Sequence, residues 1–418
     1  MKRILFLVVV YSLGTLTYDN ATADSKNPIQ YWMKFKATNK FERTKIANLG
    51  VSIEAVVEDS VMTIGNARNL EAAKKSGLLL MNFELTENTY DFPPNDSSFH
   101  NYDELSQEMQ LLAQQYPNLV KLSSIGKSRE GRNLYMLTLS TDEDDLSRPA
   151  VFFMGGHHAR EHISIETPLL FAKYLLQKFT ARDLRIVNLL NNRTVYVLPM
   201  VNPDGAEFDI ADGEYQMWRK NRAQNNGKDS YGVDLNRNYG YGWGGGGASP
   251  YPDDETYRGP SAFSEPETQA VRNFFLSHKN ITIDLSFHTF SELILYPWGG
   301  KYDKISNEKD YLTHKTMAET MAQWNGYTPE QSSDLYIASG DTTDWAYGQL
   351  GVISFTFELD PKMSAFPQRG FYPGQAFINP VVQKNIEPCL YLLEYADNPY
   401  RVIEPTPKAY GLNSPLIE

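Results

Sequence analysis

From Phe99 onward, apolar runs of strand length alternate with amphipathic stretches of helix length, and this alternation leaves few architectures open. Strand-like runs are predicted at residues 133–139, 150–154, 194–200, 281–287 and 352–357. Helical periodicity fits residues 102–116, where Leu105, Met109, Leu112 and Ala113 share one face, and again 166–179, 265–278, 312–324 and 380–395. Short, almost wholly apolar strands separated by helices imply a sheet buried on both faces. The predicted fold class is therefore α/β, a central mixed, largely parallel sheet flanked by helices. The Gly/Trp/Pro-rich stretch 240–252 is expected to be a long loop near a cleft.

Residues 24–90 differ in character, being Lys/Glu-rich with short alternations such as 51–57 and a helix-like stretch at 70–75. They predict a small α+β unit, separated by the Pro/Ser-rich linker 91–98 from a main domain reaching about residue 400. A loosely held tail, 401–418, follows. At the other end Lys2-Arg3, the apolar stretch 4–16 and Ala21-Thr22-Ala23 have the layout of a signal peptide over 1–23, too short to span a bilayer. Export follows as the expectation, with no stable membrane association. A net charge of −12 argues against nucleic acid as a partner. The single cysteine, Cys389, excludes an intramolecular disulfide framework.

The chemistry concentrates at strand ends. Gly155-Gly156-His157-His158-Ala159-Arg160-Glu161 follows the apolar run 151–154, and His288 closes the run 281–287. Two imidazoles and one carboxylate are what a catalytic zinc needs if it is to keep an open position. Seven histidines compete for the role, and His162 with Glu166 also has helical spacing. His158, Glu161 and His288 are preferred because Ser286-Phe287-His288 ends a buried strand and Asp234 is placed to orient a ligand imidazole. Spacing by itself leaves zinc and a structural role both open.

Six segments occur in the order and approximate spacing of the zinc metallocarboxypeptidase family of the carboxypeptidase A/B type. They are His158-Ala159-Arg160-Glu161, Trp218-Arg219-Lys220-Asn221-Arg222 and 232–238, then Ser286-Phe287-His288, 336–340 with Asp344-Trp345, and 355–358. The chain resembles that family across residues 99 to about 400, and within it the secreted bacterial carboxypeptidase T. The resemblance implies an eight-stranded-type sheet, a zinc ion on His158, Glu161 and His288, and Glu358 as general base. It further implies Arg219 as the carbonyl-polarising cation and Asn236, Arg237 and Tyr336 as the grip on a free C-terminal carboxylate. Arg160 is expected to contact the peptide further from the cut.

At the specificity pocket the chain departs from the best-known members, with Thr343 where an aliphatic residue or aspartate is common and Asp341 two residues earlier. Mixed preference for apolar and basic C-terminal residues is the expectation. The 24–90 unit fits an inhibitory propeptide removed near Asp91 by an activating protease, so the enzyme would be secreted as a zymogen. Ser97, Glu104 and Asp142-Glu143-Asp144-Asp145 offer hard oxygen ligands for structural calcium, although acidic loops are usually just solvated. A monomer acting on peptides or proteins is the default. The alternatives are a zinc amidase acting on cell-wall peptides and a catalytically inactive peptide-binding relative.

Overall fold

The computed structural model describes residues 30–84, 96–142, 144–225, 230–362 and 370–404. The expected leader 1–23, the processing region 91–95, Glu143 and the tail from 405 lie outside the described residues.

The first unit runs β1 (Gln30–Lys36), a helix Lys40–Ala47, β2 (Ser52–Val57), β3 (Ser60–Asn66), a helix Ala67–Ser76 and β4 (Leu79–Glu84). Its antiparallel sheet has the order β2-β3-β1-β4. Asparagines start both helices by accepting from the first free backbone N–H groups: Asn39 from Phe41 and Glu42, Asn66 from Arg68 and Asn69. Met33, Phe35, Ile46, Val51, Val61 and Leu70 give the unit a core of its own.

The second unit is an eight-stranded mixed sheet of order β11-β10-β12-β9-β7-β8-β6-β5. Its strands are β5 (Val120–Lys127), β6 (Asn133–Leu139), β7 (Ala150–Met154), β8 (Thr194–Leu198), β9 (Ile281–Thr289), β10 (Leu293–Tyr296), β11 (Thr328–Gln331) and β12 (Ile353–Leu359). The central four, β12-β9-β7-β8, are parallel. Strand β7 shows why its sequence is apolar throughout. Val151 and Phe153 enter the core beneath the helices His162–Thr180 and Ile378–Tyr395. Ala150, Phe152 and Met154 enter the opposite core, beneath Pro266–Ser277 and Thr342–Leu350. Among the described residues no helix is long and apolar enough to cross a membrane.

All five expected strands are present. Strands β9 and β12 run two residues further than their apolar runs, because parallel pairing carries on through His288 opposite Glu358. Three strands of this sheet, β5, β10 and β11, have no counterpart among the expected runs. Strand β5 lies at one sheet edge with an exposed, polar side, and β11 at the other edge is Thr-Pro-Glu-Gln, whose proline reads as a loop.

Candidate active site

The parallel strands end on one rim, and the turn after β7 delivers the first donor groups to it. Gly155 is obligatory there, since a Cβ would fall 1.9 Å from the Ser164 carbonyl oxygen. Gly156 has φ +64°, a conformation open to glycine. The chain then presents His158, and Glu161 sits at the N-cap of the helix His162–Thr180 without capping it. Its carboxylate faces inward instead, with Oε1 2.7 Å from His158 Nδ1 and Oε2 3.0 Å from His288 Nδ1. The two imidazole nitrogens are 3.1 Å apart.

Three basic atoms converging this closely, all buried, fit a cation better than one another. Tetrahedral zinc with bonds of about 2.0–2.2 Å sets its ligand atoms about 3.3–3.6 Å apart, slightly wider than the spacings of 2.7, 3.0 and 3.1 Å. Burial opposes the charge on Glu161, but His158 and His288 hold its carboxyl well below the usual range. Behind them Asp234 Oδ1 lies 3.3 Å from His158 Nε2, outside hydrogen-bond alignment. Its Oδ2 accepts from Arg219 Nε at 3.0 Å.

A cleft of about 560 Å³ opens beside these residues, lined by Arg219, Asn236, Arg237, Tyr336, Asp341 and Glu358 among others. Glu358 comes from the end of β12, next to His288. Burial first, and the Glu161 carboxylate second, push its carboxyl up to about 8. A divalent cation on the three donors acts the other way and draws it down. Burial opposes the charge of Arg219 too, but Asp234 overcompensates and raises its pKa above the usual value. Arg237 is fixed by donating to the carbonyls of Gly247 and Asn236, at 2.9 and 2.7 Å.

Leu295, Gly299, Ala338 and Thr356 also line the cleft, as a neutral pocket. Thr343 does not; its hydroxyl pairs with that of Thr356, 2.7 Å away. Arg160 is fully buried and also outside the lining. Its guanidinium donates to the Met217 carbonyl at 2.9 Å, to Glu255 at 3.0 Å and to Glu54 of the first unit at 2.9 Å.

The first unit roofs the cleft. Residues 53–58, from β2 and the turn after it, form part of the lining, as does Arg43. Lys40 pairs with Asp334 at 2.8 Å, Arg43 donates to the carbonyls of Asp334 and Leu335, and Tyr336 packs against the unit's core. None of these partners was legible in the sequence, because they join segments nearly 300 residues apart. His157 and Thr342 were also passed over. His157 entered only as a rival ligand, and Thr342 stood between two residues chosen for the pocket.

Two imidazoles and a carboxylate around a cation-sized space, with a buried carboxylic acid and a fixed guanidinium facing one cleft, define a metal-dependent hydrolase. The family model for zinc carboxypeptidases, Peptidase_M14, matches residues 105–388, and the chain belongs to that family. It is 35% identical over 404 residues to a zinc carboxypeptidase of Saccharothrix mutabilis subsp. capreolus, covering 91% of this chain and 92% of that one. Carboxypeptidase A1 of Sus scrofa is 33% identical over 311 residues, 73% of this chain and 72% of its own. Among solved structures, carboxypeptidase A from Helicoverpa armigera superposes with a TM-score of 0.70 at 25% identity, covering 88% of this chain and 97% of that one. The protein is thus a metallocarboxypeptidase whose family implies zinc.

Proposed function

We propose that the protein is a secreted exopeptidase that removes C-terminal residues, basic as well as apolar, and is made as a zymogen. The observation that carries this reading is one cleft lined by His158, Glu161, Glu358, Arg219 and the Asn236–Arg237 pair, with His288 completing the buried donor triad beside it. Bound by the three donors, zinc would supply a Lewis acid for the scissile carbonyl and make water a usable nucleophile near neutral pH. Glu358 takes the water's proton on a carboxylate oxygen and passes it to the leaving amine nitrogen. Arg219, held charged by Asp234, faces the negative charge that develops on the carbonyl oxygen. The Arg237 guanidinium and the Asn236 amide bind the free terminal carboxylate, and Tyr336 closes over it.

Residues 24–90 act as the propeptide in this reading, since the unit that covers the cleft also holds the Tyr336 loop. An activating protease would cut near Asp91, and residues 91–400 would form the active enzyme. The layout of residues 1–23 supports export. Arg160 becomes available to substrate when Glu54 leaves. Asp341 supports acceptance of basic side chains, in line with the breadth that the carboxypeptidase T resemblance implies. Calcium at the exposed oxygens of Ser97, Glu104, Asp142 and Asp144 belongs to the same proposal, and a rise in melting temperature on adding calcium checks it.

The deciding experiment uses short peptides, each with a free or an amidated end, incubated with the activated protein with and without a zinc chelator. Release of one residue from the free-ended peptides alone, abolished by chelation, is the expected result. Equal cleavage of amidated peptides, or release from muropeptides only, would overturn the reading.

A further inference from the structure

The amide of Asn236 is not free to turn. Its Oδ1 lies 3.0 Å from the backbone N of Thr342 and 3.1 Å from the Thr342 hydroxyl. A backbone N–H only donates, so the atom facing it must be the amide oxygen. The amide nitrogen therefore points the other way, 3.4 Å from His288 Nε2. The amide N–H groups are thereby left on the side away from Thr342, and Asn236 lines the cleft.

The hydroxyl of Thr342 is oriented in turn. Its single proton has two acceptors in reach, Asn236 Oδ1 and His157 Nε2, each 3.1 Å away. Where His157 Nδ1 accepts from the Ser286 hydroxyl at 3.3 Å, the ring proton sits on Nε2 and turns the Thr342 hydroxyl proton to Asn236 Oδ1. Tyr239 supports the same nitrogen with its hydroxyl at 3.0 Å. Ser286, His157 and Thr342 are all buried. Gly340, whose Cβ would fall 2.5 Å from the Arg237 carbonyl oxygen, lets the Thr342 segment come this close.

We infer that Thr342 is a positioning residue for terminal-carboxylate recognition: it locks the Asn236 amide with its donors toward the substrate, and His157 sets the direction of the Thr342 hydroxyl. This rests on the reading that Asn236 binds the carboxylate. It distinguishes Thr342 from its neighbours, since Asp341 lines the pocket and Thr343 turns to Thr356.

The test compares Thr342→Val, Thr342→Ser and Asn236→Ala, each made in the full chain and activated identically, using tripeptides with a free terminal carboxylate. Zinc content and melting temperature are measured alongside. Valine keeps the backbone donor and the shape but loses the hydroxyl, so KM should rise about 5-fold with kcat within about 2-fold. Serine restores the hydroxyl and should return KM to within about 2-fold of the parent. Unchanged KM in Thr342→Val, or a fall in kcat and melting temperature that serine does not rescue, would overturn the inference while leaving the carboxylate reading intact if Asn236→Ala still raises KM. Unchanged KM in Asn236→Ala would overturn both.

Discussion

Glu54 and Arg160, 106 residues apart in sequence, form a fully buried ion pair of 2.9 Å between the roofing unit and the segment that carries His158. Ser52, from the same strand, adds its hydroxyl at 3.3 Å to the same guanidinium nitrogen. Arg160 also keeps Glu255 on its other nitrogen, a pairing that does not involve the first unit. In the zymogen reading proposed above, the Glu54–Arg160 pair would act as a latch. Removing one member of a buried pair costs about 3–5 kcal/mol, less here because Glu255 remains. Glu54→Gln should raise the activity of the uncut chain on a short peptide at least about 10-fold, a shift of about 1.4 kcal/mol. The activated protein should be unaffected. Equal silence of both uncut proteins would show that other contacts keep the cleft closed.

Glu358 has no charged partner of its own at hydrogen-bond distance among the described residues, and it lies beside the donor triad in the cleft. Glu358→Gln keeps size and polarity but cannot accept a proton. Turnover should fall about 10²–10⁴-fold while bound zinc, measured by metal analysis, stays at one per chain. Chelation should abolish activity of the parent, and added zinc should restore it. Retained turnover in the glutamine variant would remove Glu358 as the base.

How much of this was legible beforehand follows from physical locality. The strand ends bearing His158 and His288 stand out because buried parallel strands are apolar throughout, and a polar residue closing such a run has a reason to be there. Glu358 follows the same logic on β12. Edge strands β5 and β11 do not stand out, since one side faces solvent and their side chains are mixed. Contacts set by tertiary approach were out of reach in principle. The Glu54–Arg160 latch and the Thr342–Asn236 lock join residues 106 apart in each case. Thr343 shows the reverse limit: its position in the motif suggests the pocket, but its rotamer delivers it to Thr356.

Glu267 is buried at the start of the helix Pro266–Ser277 and accepts from the backbone N of Arg129 at 2.8 Å. Burial raises its carboxyl from 4.5 to about 7, with the Glu265 carboxylate adding to the rise. The folded state thus binds the proton more tightly than the unfolded one. Its stabilising effect is complete below about pH 4.5 and is lost as pH rises through about 7. The upper bound is about 3 kcal/mol. Thermal melts of the parent and Glu267→Gln between pH 5 and pH 8 check this. The variant should gain on the parent as pH rises, and a pH-independent difference would place the carboxyl at its ordinary value.

Asp341 divides its oxygens between two tasks. Oδ1 accepts from the backbone N of Asp344 at 2.8 Å and so caps the helix Thr342–Leu350. Oδ2 is shielded and has no hydrogen-bond partner among the described residues, while the residue lines the cleft beside Gly299 and Ala338. A buried acceptor without a donor is costly, and the ammonium or guanidinium of a C-terminal Lys or Arg would relieve it. In the proposed reading an apolar side chain would meet Leu295, Ala338 and Thr356 instead and gain from burial against them. Asp341→Asn separates specificity from stability, because asparagine is as good an N-cap as aspartate and the helix keeps its cap. With hydrogen bonds to charged groups worth about 1.5–3 kcal/mol, kcat/KM for C-terminal Lys and Arg should fall about 10- to 100-fold. Values for Leu and Phe should stay within about 3-fold, since burial is untouched. Parallel losses on both substrate classes would mean that Asp341 shapes the pocket without reading charge.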